Sequence, residues 1–270
     1  MTPTLESFLA QHPMTVLIEI IGTQGSTPRE TGTFMLVSDT DIWGTIGGGQ
    51  FEFIAIGNAR EILAGSGVEL MDIPLGPEIG QCCGGRTQLR CRRANPETIA
   101  ELKRRMQDES LDWPEVYLFG AGHVGRALAA ALQPLPLVTT VVETRQHELD
   151  DLPADTRMRL VAIPEALVSD IPSGAVVLVL THDHALDFLI AKEALARPDL
   201  AYVGMIGSAT KRATFSHWLT REGGEKAWMD RLTLPIGGAT VKDKRPEVIA
   251  AMTAADILTA LATYRIRSSS

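Results

Sequence analysis

The chain has 270 residues, 45% of them hydrophobic, and a formal charge of −8 at pH 7. That apolar content excludes a disordered chain and supplies one large or two modest domains. The acidic balance argues against nucleic acid or an anionic membrane as a general partner, although Arg86, Arg90, Arg92 and Arg93 form a local basic run.

The N-terminal stretch MTPTLESFLAQHPMT lacks the basic and apolar regions of a signal peptide, and no apolar run approaches membrane-spanning length. Three cysteines are a sparse and odd number, which fits a reducing compartment better than a disulfide scaffold. A soluble, cytoplasmic protein is expected.

From residue 14 to 39, β-branched runs alternate with Gly, Ser, Thr and Pro, which predicts a strand, a loop and a second strand. Gly47, Gly48 and Gly49 then precede a segment with apolar residues at Phe53, Ile54, Ile56, Ala59, Ile62 and Leu63, a helical spacing. Their amides are candidates to face an anion at the helix N-terminus; a tight turn between packed elements is the equal alternative.

Next comes GQCCGGR, residues 80–86. Adjacent cysteines rarely reach an unstrained disulfide, and the spacing to Cys91 lacks the paired form of a zinc site. A reactive or ligand-binding thiol remains, or a buried structural one, the usual state of a free cysteine and the one expected for Cys91. A strand TQLRCRR and a helix PETIAELKRRMQDES close an N-terminal domain, 1–106, and the polar stretch 107–114 reads as a linker.

Residues 115–270 read as a second domain. An apolar strand from Val116 to Phe119 leads into Gly120, Gly122 and Gly125 in G-x-G-x-x-G spacing, then an alanine-rich helix, then a strand ending at Glu143. This is the context of the dinucleotide fingerprint, with an acid placed for ribose hydroxyls. It predicts a Rossmann-like fold; nucleotide binding is a separate claim. Two further apolar strands place His182, Asp183, His184 and Asp187, and then Gly207, Ser208 and Lys211, beyond carboxyl ends where ligands bind in such sheets. Thr181 and Asp183 are expected to cap a helix. The His182 and His184 spacing alone is unspecific for a metal. Lys211 reads either as a point charge for a phosphate or as a solvated surface lysine. The final helix begins at Pro246 and is expected to cover the sheet.

GSTPRETGTFML, GTIGGGQFE, GPEIGQCCGGR, FGAGHVGRAL, VVETR, THDHALD, GMIGSATKRATF and LPIGG, in this order, resemble the XdhC family of xanthine dehydrogenase accessory proteins, related to the CoxI group. The likeness covers nearly the whole chain. It implies an α/β fold, a smaller N-terminal α+β domain followed by a Rossmann-like doubly wound one. It also implies a non-catalytic chaperone that binds the molybdenum cofactor, supports its sulfuration by a NifS-like cysteine desulfurase and delivers it to the molybdenum-binding subunit of xanthine dehydrogenase.

Carried onto this sequence, the resemblance makes Cys82 or Cys83 the molybdenum ligand, Cys83 preferred, with Gln81, Gly84 and Gly85 beside it and Arg86 for the pterin phosphate. Soft thiolates suit such a metal–sulfur centre. The loop Gly47, Gly48, Gly49, Gln50 and Glu52, and in the second domain Gly120, Gly122, His123, Gly125, Glu143, His182, Asp183, Ser208 and Lys211, complete the expected binding residues, with the cofactor enclosed between the domains. Two positions depart from the pattern: Glu143 stands where Asp is commoner, and ATVKDKRPEVIA has no threonine before its proline. The competing readings are an NAD(P)-dependent oxidoreductase with His182 or His184 as proton donor, and a redox sensor built on the adjacent cysteines. Homodimerisation is left open.

Overall fold

The structure, a computed structural model, describes residues 4–77, 84–153, 156–238 and 240–268. Gln81, Cys82 and Cys83 lie outside the described residues. The chain forms two compact units, Met1–Arg105 and Met106–Ser270.

The first unit is α+β. Strands β1 (Val16–Gln24), β2 (Phe34–Val37), β3 (Ile42–Gly44), β4 (Leu70–Pro74) and β5 (Arg86–Arg93) make an antiparallel sheet in the order β3-β2-β1-β5-β4. Alternate residues of a strand face opposite sides. Val16, Ile18 and Ile20 of β1, Met35 and Val37 of β2, and Leu89 and Cys91 of β5 therefore share one core face, against Phe51, Ala55 and Ala59 of helix α2 (Gly49–Ala64). Burying a side chain the size of Phe51 stabilises the unit by roughly 1.5–3 kcal/mol.

The helix and most of its inward stripe were legible in the sequence: Ile56 and Ala59 are buried and Ile54, Ile62 and Leu63 pack against the core, while Phe53 does not join them. Phe51 is fully buried and Phe53 is 68% exposed. Asn58 fixes the chain after α2, donating to the Val68 carbonyl and accepting from the Val68 amide, both at 2.8 Å. The helices α1 (Leu5–Gln11) and α3 (Pro96–Leu111) bury Leu5, Phe8 and Leu102. Arg105 of α3 reaches Glu19 on the other face of β1. Helix α3 continues to Leu111, so residues 107–111 of the expected linker are its last turn.

The second unit is a parallel sheet of β6 (Glu115–Phe119), β7 (Val138–Glu143), β8 (Arg157–Leu160), β9 (Val176–Val179), β10 (Tyr202–Met205) and β11 (Leu232–Thr233), in the order β8-β7-β6-β9-β10-β11. Counted from β6, this is the 3-2-1-4-5-6 order of a Rossmann fold, with its switch point between β6 and β9. Both faces are covered, as the near-continuous apolar strands predicted. Phe119, Val177 and Val179 pack with residues of α5 (His184–Ala196) and α6 (Ala209–Arg221), such as Ile190 and Phe215. Leu118, Val176 and Leu178 pack with Leu128 and Leu132 of α4 (His123–Leu132) and with Ala254 and Ile257 of α7 (Pro246–Ser268).

The sequence reading that the chain has no apolar run of membrane-spanning length needs correction, because α7 has the length and hydropathy for it over Pro246–Arg267. Ala250, Thr253, Ala254, Ile257 and Leu261 form a buried stripe against the sheet, while other apolar residues of the helix, Leu258 and Ile266 among them, are exposed.

Candidate functional site

In the first unit, three loops named by the sequence meet at one end of the sheet. A Cβ built on Gly47 would lie 2.7 Å from Pro28, and one on Gly25 would lie 3.3 Å from the Gly85 Cα. Ser26 pairs with Gly84 in an isolated bridge. Gly84 donates to the Leu75 carbonyl at 2.9 Å and Leu75 to the Gly85 carbonyl at 2.8 Å, which closes the chain on either side of residues 78–83. In sequence, Gln81, Cys82 and Cys83 lie between Leu75 and Gly84, which are paired through these bonds.

The two glycines after the cysteines differ in use. At Gly85 a Cβ would lie 2.1 Å from the Ser26 carbonyl oxygen, so this glycine serves close packing of the chain on itself rather than approach to a ligand. Gly84 has φ +67°, and among the described residues no atom lies within 4 Å of a Cβ built on it. Arg86, expected to meet a phosphate, is half exposed and donates from Nε to Asp72 at 2.6 Å. That bond, with the Asp72 charge, raises the Arg86 pKa. Arg29, exposed beside the Gly47 loop, has no ionic partner among the described residues.

The basic run on β5 divides by strand alternation. Arg93 donates to the carbonyls of Ile62 and Leu63 at the end of α2, and Arg92 lies 4.0 Å from Glu101. Cys91 is buried, and its thiol is pushed up to about 11 by burial, slightly offset by Asn58, as a structural cysteine should be.

The glycine loop before α2 corrects another expectation. Its three glycines all have positive φ, 130°, 75° and 68°, a conformation that side chains resist. Its amides, however, are partly satisfied from within. Glu52 Oε2 accepts from the Gly48 amide at 3.1 Å, the Ile46 amide at 2.9 Å and the Thr45 hydroxyl at 2.5 Å, while Gly47 donates to Thr45 Oγ1 at 3.1 Å. A carboxylate of the chain itself holds the position proposed for an anion at the helix N-terminus, and Gln50 is exposed beside it.

In the second unit the fingerprint glycines divide their roles as the motif requires. Gly120 has φ +119° and abuts the end of β9, where a Cβ would lie 2.6 Å from the Leu180 oxygen. At Gly125 a Cβ would lie 2.1 Å from the Gly120 oxygen, and at Gly122 it would meet nothing. Glu143 behaves otherwise than expected. Its carboxylate is 4% exposed and turned onto the glycine loop, accepting from the amides of Ala121 (3.1 Å), Thr144 (2.8 Å) and Arg145 (3.2 Å), the Thr144 hydroxyl and the Arg145 guanidinium. Burial pushes this carboxyl up, but Arg145 and the amides of Ala121 and Thr144 outweigh it and hold the pKa at about 2. The crevice between Gly120, Glu143, Thr181 and His182 holds only about 10 Å³. The acid expected to meet a ribose is thus engaged by backbone amides and Arg145 beside a small cleft.

Lys211 is neither solvated nor a mobile charge. Its side chain is 9% exposed, and its ammonium pairs with the wholly buried Asp187 and donates to the Ile206 carbonyl at 2.9 Å. Asp187 accepts in turn from the Thr181 amide and hydroxyl. This cross-brace between the loops after β9 and β10 was the main feature the sequence reading missed. Its signal was the acid four residues after a cap and the lysine three after another, in THDHALD and GSATK.

Of the two expected caps, Asp183 caps α5, whereas Thr181 bonds Asp187 and Asp183 instead of a helix amide; Ser208, not foreseen as a cap, caps α6. Asp183 accepts from the amides of Ala185 (2.8 Å) and Leu186 (3.4 Å), which lower its pKa, and Ser208 accepts from Lys211 N at 3.3 Å. His123, His182 and His184 stand exposed at the starts of α4 and α5. No group of three His, Cys, Asp or Glu among the described residues is arranged to hold a metal.

Comparison with known proteins covers both units. A family model described as the XdhC Rossmann domain matches residues 116–257, and one described as the XdhC and CoxI family matches residues 8–73. An Escherichia coli K12 protein, the uncharacterized protein YqeB, is 26% identical over 253 residues, which are 90% of this chain and 42% of that protein. The chain therefore spans less than half the length of that curated relative. A crystal structure from Bacillus halodurans, described as a xanthine dehydrogenase, shares the fold with a TM-score of 0.71 at 18% identity, over 93% of this chain and 92% of that one.

Proposed function

The chain belongs to the XdhC and CoxI family, and from that premise we propose that it matures a xanthine dehydrogenase by carrying its molybdenum cofactor, holding it through Cys83 or Cys82 while sulfur is installed. The observation that carries the reading is the loop cluster of the first unit. Gly25 and Gly85 pack the loop after β1 against the start of β5, Gly47 packs on Pro28 of that same loop, and Gly84, next in sequence to the cysteines, has no described atom within 4 Å of a built Cβ.

The residues fit such a group in kind. Adjacent thiols offer soft ligands for a metal that also binds sulfur. Arg29 adds a guanidinium, unpaired among the described residues, for the phosphate of the pterin. The bound cofactor would supply a molybdenum centre at which a terminal oxygen is exchanged for sulfur. The chain's own part is to present a thiolate, shape the loop and release the cargo. In this reading the sulfur comes from a cysteine desulfurase, the client is the molybdenum-binding subunit of the dehydrogenase, and the chain itself catalyses nothing. The name given to the Bacillus halodurans protein motivates the client.

The rival reading, a nucleotide-dependent oxidoreductase, draws less support: Glu143 is engaged by Arg145 and three amides, and the switch-point crevice holds about 10 Å³. The test is molybdenum and pterin analysis of protein produced together with the cofactor pathway, with Cys82→Ala and Cys83→Ala alongside. Retention in the unaltered protein and loss in one variant is the expected result. Retention by both variants, or by none of the three proteins, would overturn the proposal.

A further inference from the structure

A second cavity lies in the Rossmann unit, away from the switch point, where the carboxyl ends of β10 and β11 meet the start of α7. It holds about 340 Å³. Its walls are apolar, with Ile236 from the end of the sheet and Val248, Ile249 and Met252 from the first turns of α7. Its mouth is charged. Lys242 and Lys244 line it and are exposed, while Asp243 between them is bound by the Arg245 guanidinium at 2.5–3.1 Å. Neutralising Asp243 in this way leaves two lysines without an ionic partner among the described residues.

The floor has hydrogen-bond donors to spare. Gly237 and Gly238 both have positive φ, 72° and 73°, and their amides find no acceptor among the described residues, although Gly237 is buried. Successive amides in a turn make an anion-binding concavity. A Cβ on Gly238 would meet nothing within 4 Å, so this backbone is open to a ligand.

We propose that this cavity binds a heterocycle carrying a phosphate monoester, with the ring between Ile249 and Met252 and the phosphate between the Gly237 and Gly238 amides and the two lysines. Apolar walls select the ring, and two point charges with two amides select the anion. The size decides between ligands: ligand pockets run from about 300 to 1,000 Å³, and a cavity at the bottom of that range takes a mononucleotide-sized molecule rather than a dinucleotide. The site does not rest on the maturation reading, since it contains no cysteine and belongs to the other unit.

The test is titration of the full chain with riboflavin 5′-monophosphate and adenosine 5′-monophosphate by calorimetry, with riboflavin as the uncharged control. Saturable binding of at least one phosphate ester is expected, about tenfold or more tighter than any binding of riboflavin. A Lys242→Gln, Lys244→Gln double variant should lose that advantage, and the corresponding double arginine variant should keep it. Circular dichroism and an unchanged melting midpoint verify that both variants fold. No saturable binding of either ester, equal binding of riboflavin, or binding that survives the glutamine variant would each overturn the proposal. Cys83→Ala should bind the esters as the parent does, which separates this site from the cofactor-carrying one.

Discussion

The ammonium of Lys211 on α6 meets the carboxylate of Asp187 on α5, and both side chains are buried, at 9% and 0% exposure. The pair ties the loop after β10 to the loop after β9, because Lys211 also holds the Ile206 carbonyl and Asp187 also holds Thr181. Removing one member of a buried pair leaves an uncompensated charge and costs about 3–5 kcal/mol. Lys211→Met should therefore lower the melting midpoint of the second unit by about 10 °C. The Asp187→Asn, Lys211→Met double variant should recover part of that loss, since asparagine keeps an acceptor for Thr181 and leaves no charge behind. Additive losses in this double-mutant cycle would contradict the brace.

Glu143 gives the second unit a pH dependence of defined sign. Its carboxyl falls from an ordinary 4.5 to about 2 in the folded chain. A depressed carboxyl contributes stability that is fully present above about 4.5 and is lost as the pH drops toward 2, amounting to about 3 kcal/mol from a shift of this size. Glu143→Gln should be less stable than the parent at pH 7, with the difference shrinking progressively below pH 4.5. Urea midpoints at pH 7, 5 and 3.5 measure it, and a difference that stays constant with pH would count against the assignment.

The same residue separates what the sequence made legible from what it did not. The strand, glycine turn, helix and terminal acid were readable because each is a local pattern, and so was the doubly wound sheet from its two-sided apolar strands. The direction of the Glu143 side chain was not, because it depends on Arg145 and on the Ala121 amide, a partner 22 residues away. Lys211 and Asp187 fail for the same reason: 24 residues separate two polar side chains that either pair or face water. Glu52 is the short-range counterpart, since only a structure shows that an acid four residues after Gly48 turns back onto the glycine loop.

The fingerprint glycines carry a prediction that distinguishes packing from ligand approach. Gly125→Ala forces a Cβ against the Gly120 oxygen at 2.1 Å, and should cost about 1–3 kcal/mol or more by overpacking. Gly122→Ala has open space and an ordinary φ of −66°, and should cost less than about 1 kcal/mol, the usual difference at a helix cap. Thermal melts of the two variants test this, and equal losses would show that the loop is not seated as described.

Glu52 provides a direct test of whether the triple-glycine loop can hold an external anion. In the parent, its carboxylate accepts from the amides of Ile46 and Gly48 and from the Thr45 hydroxyl. Glu52→Ala orphans these donors and should cost about 2–3 kcal/mol, the worth of hydrogen bonds to a charged group. It also vacates a position where amides and a helix N-terminus favour negative charge. Inorganic phosphate at tens of millimolar should then raise the melting midpoint of Glu52→Ala by a few degrees more than that of the parent, where the carboxylate already fills the position. An equal response of the two proteins would mean that the loop's geometry depends on Glu52 itself and that the anion position is a product of the side chain rather than of the three glycines.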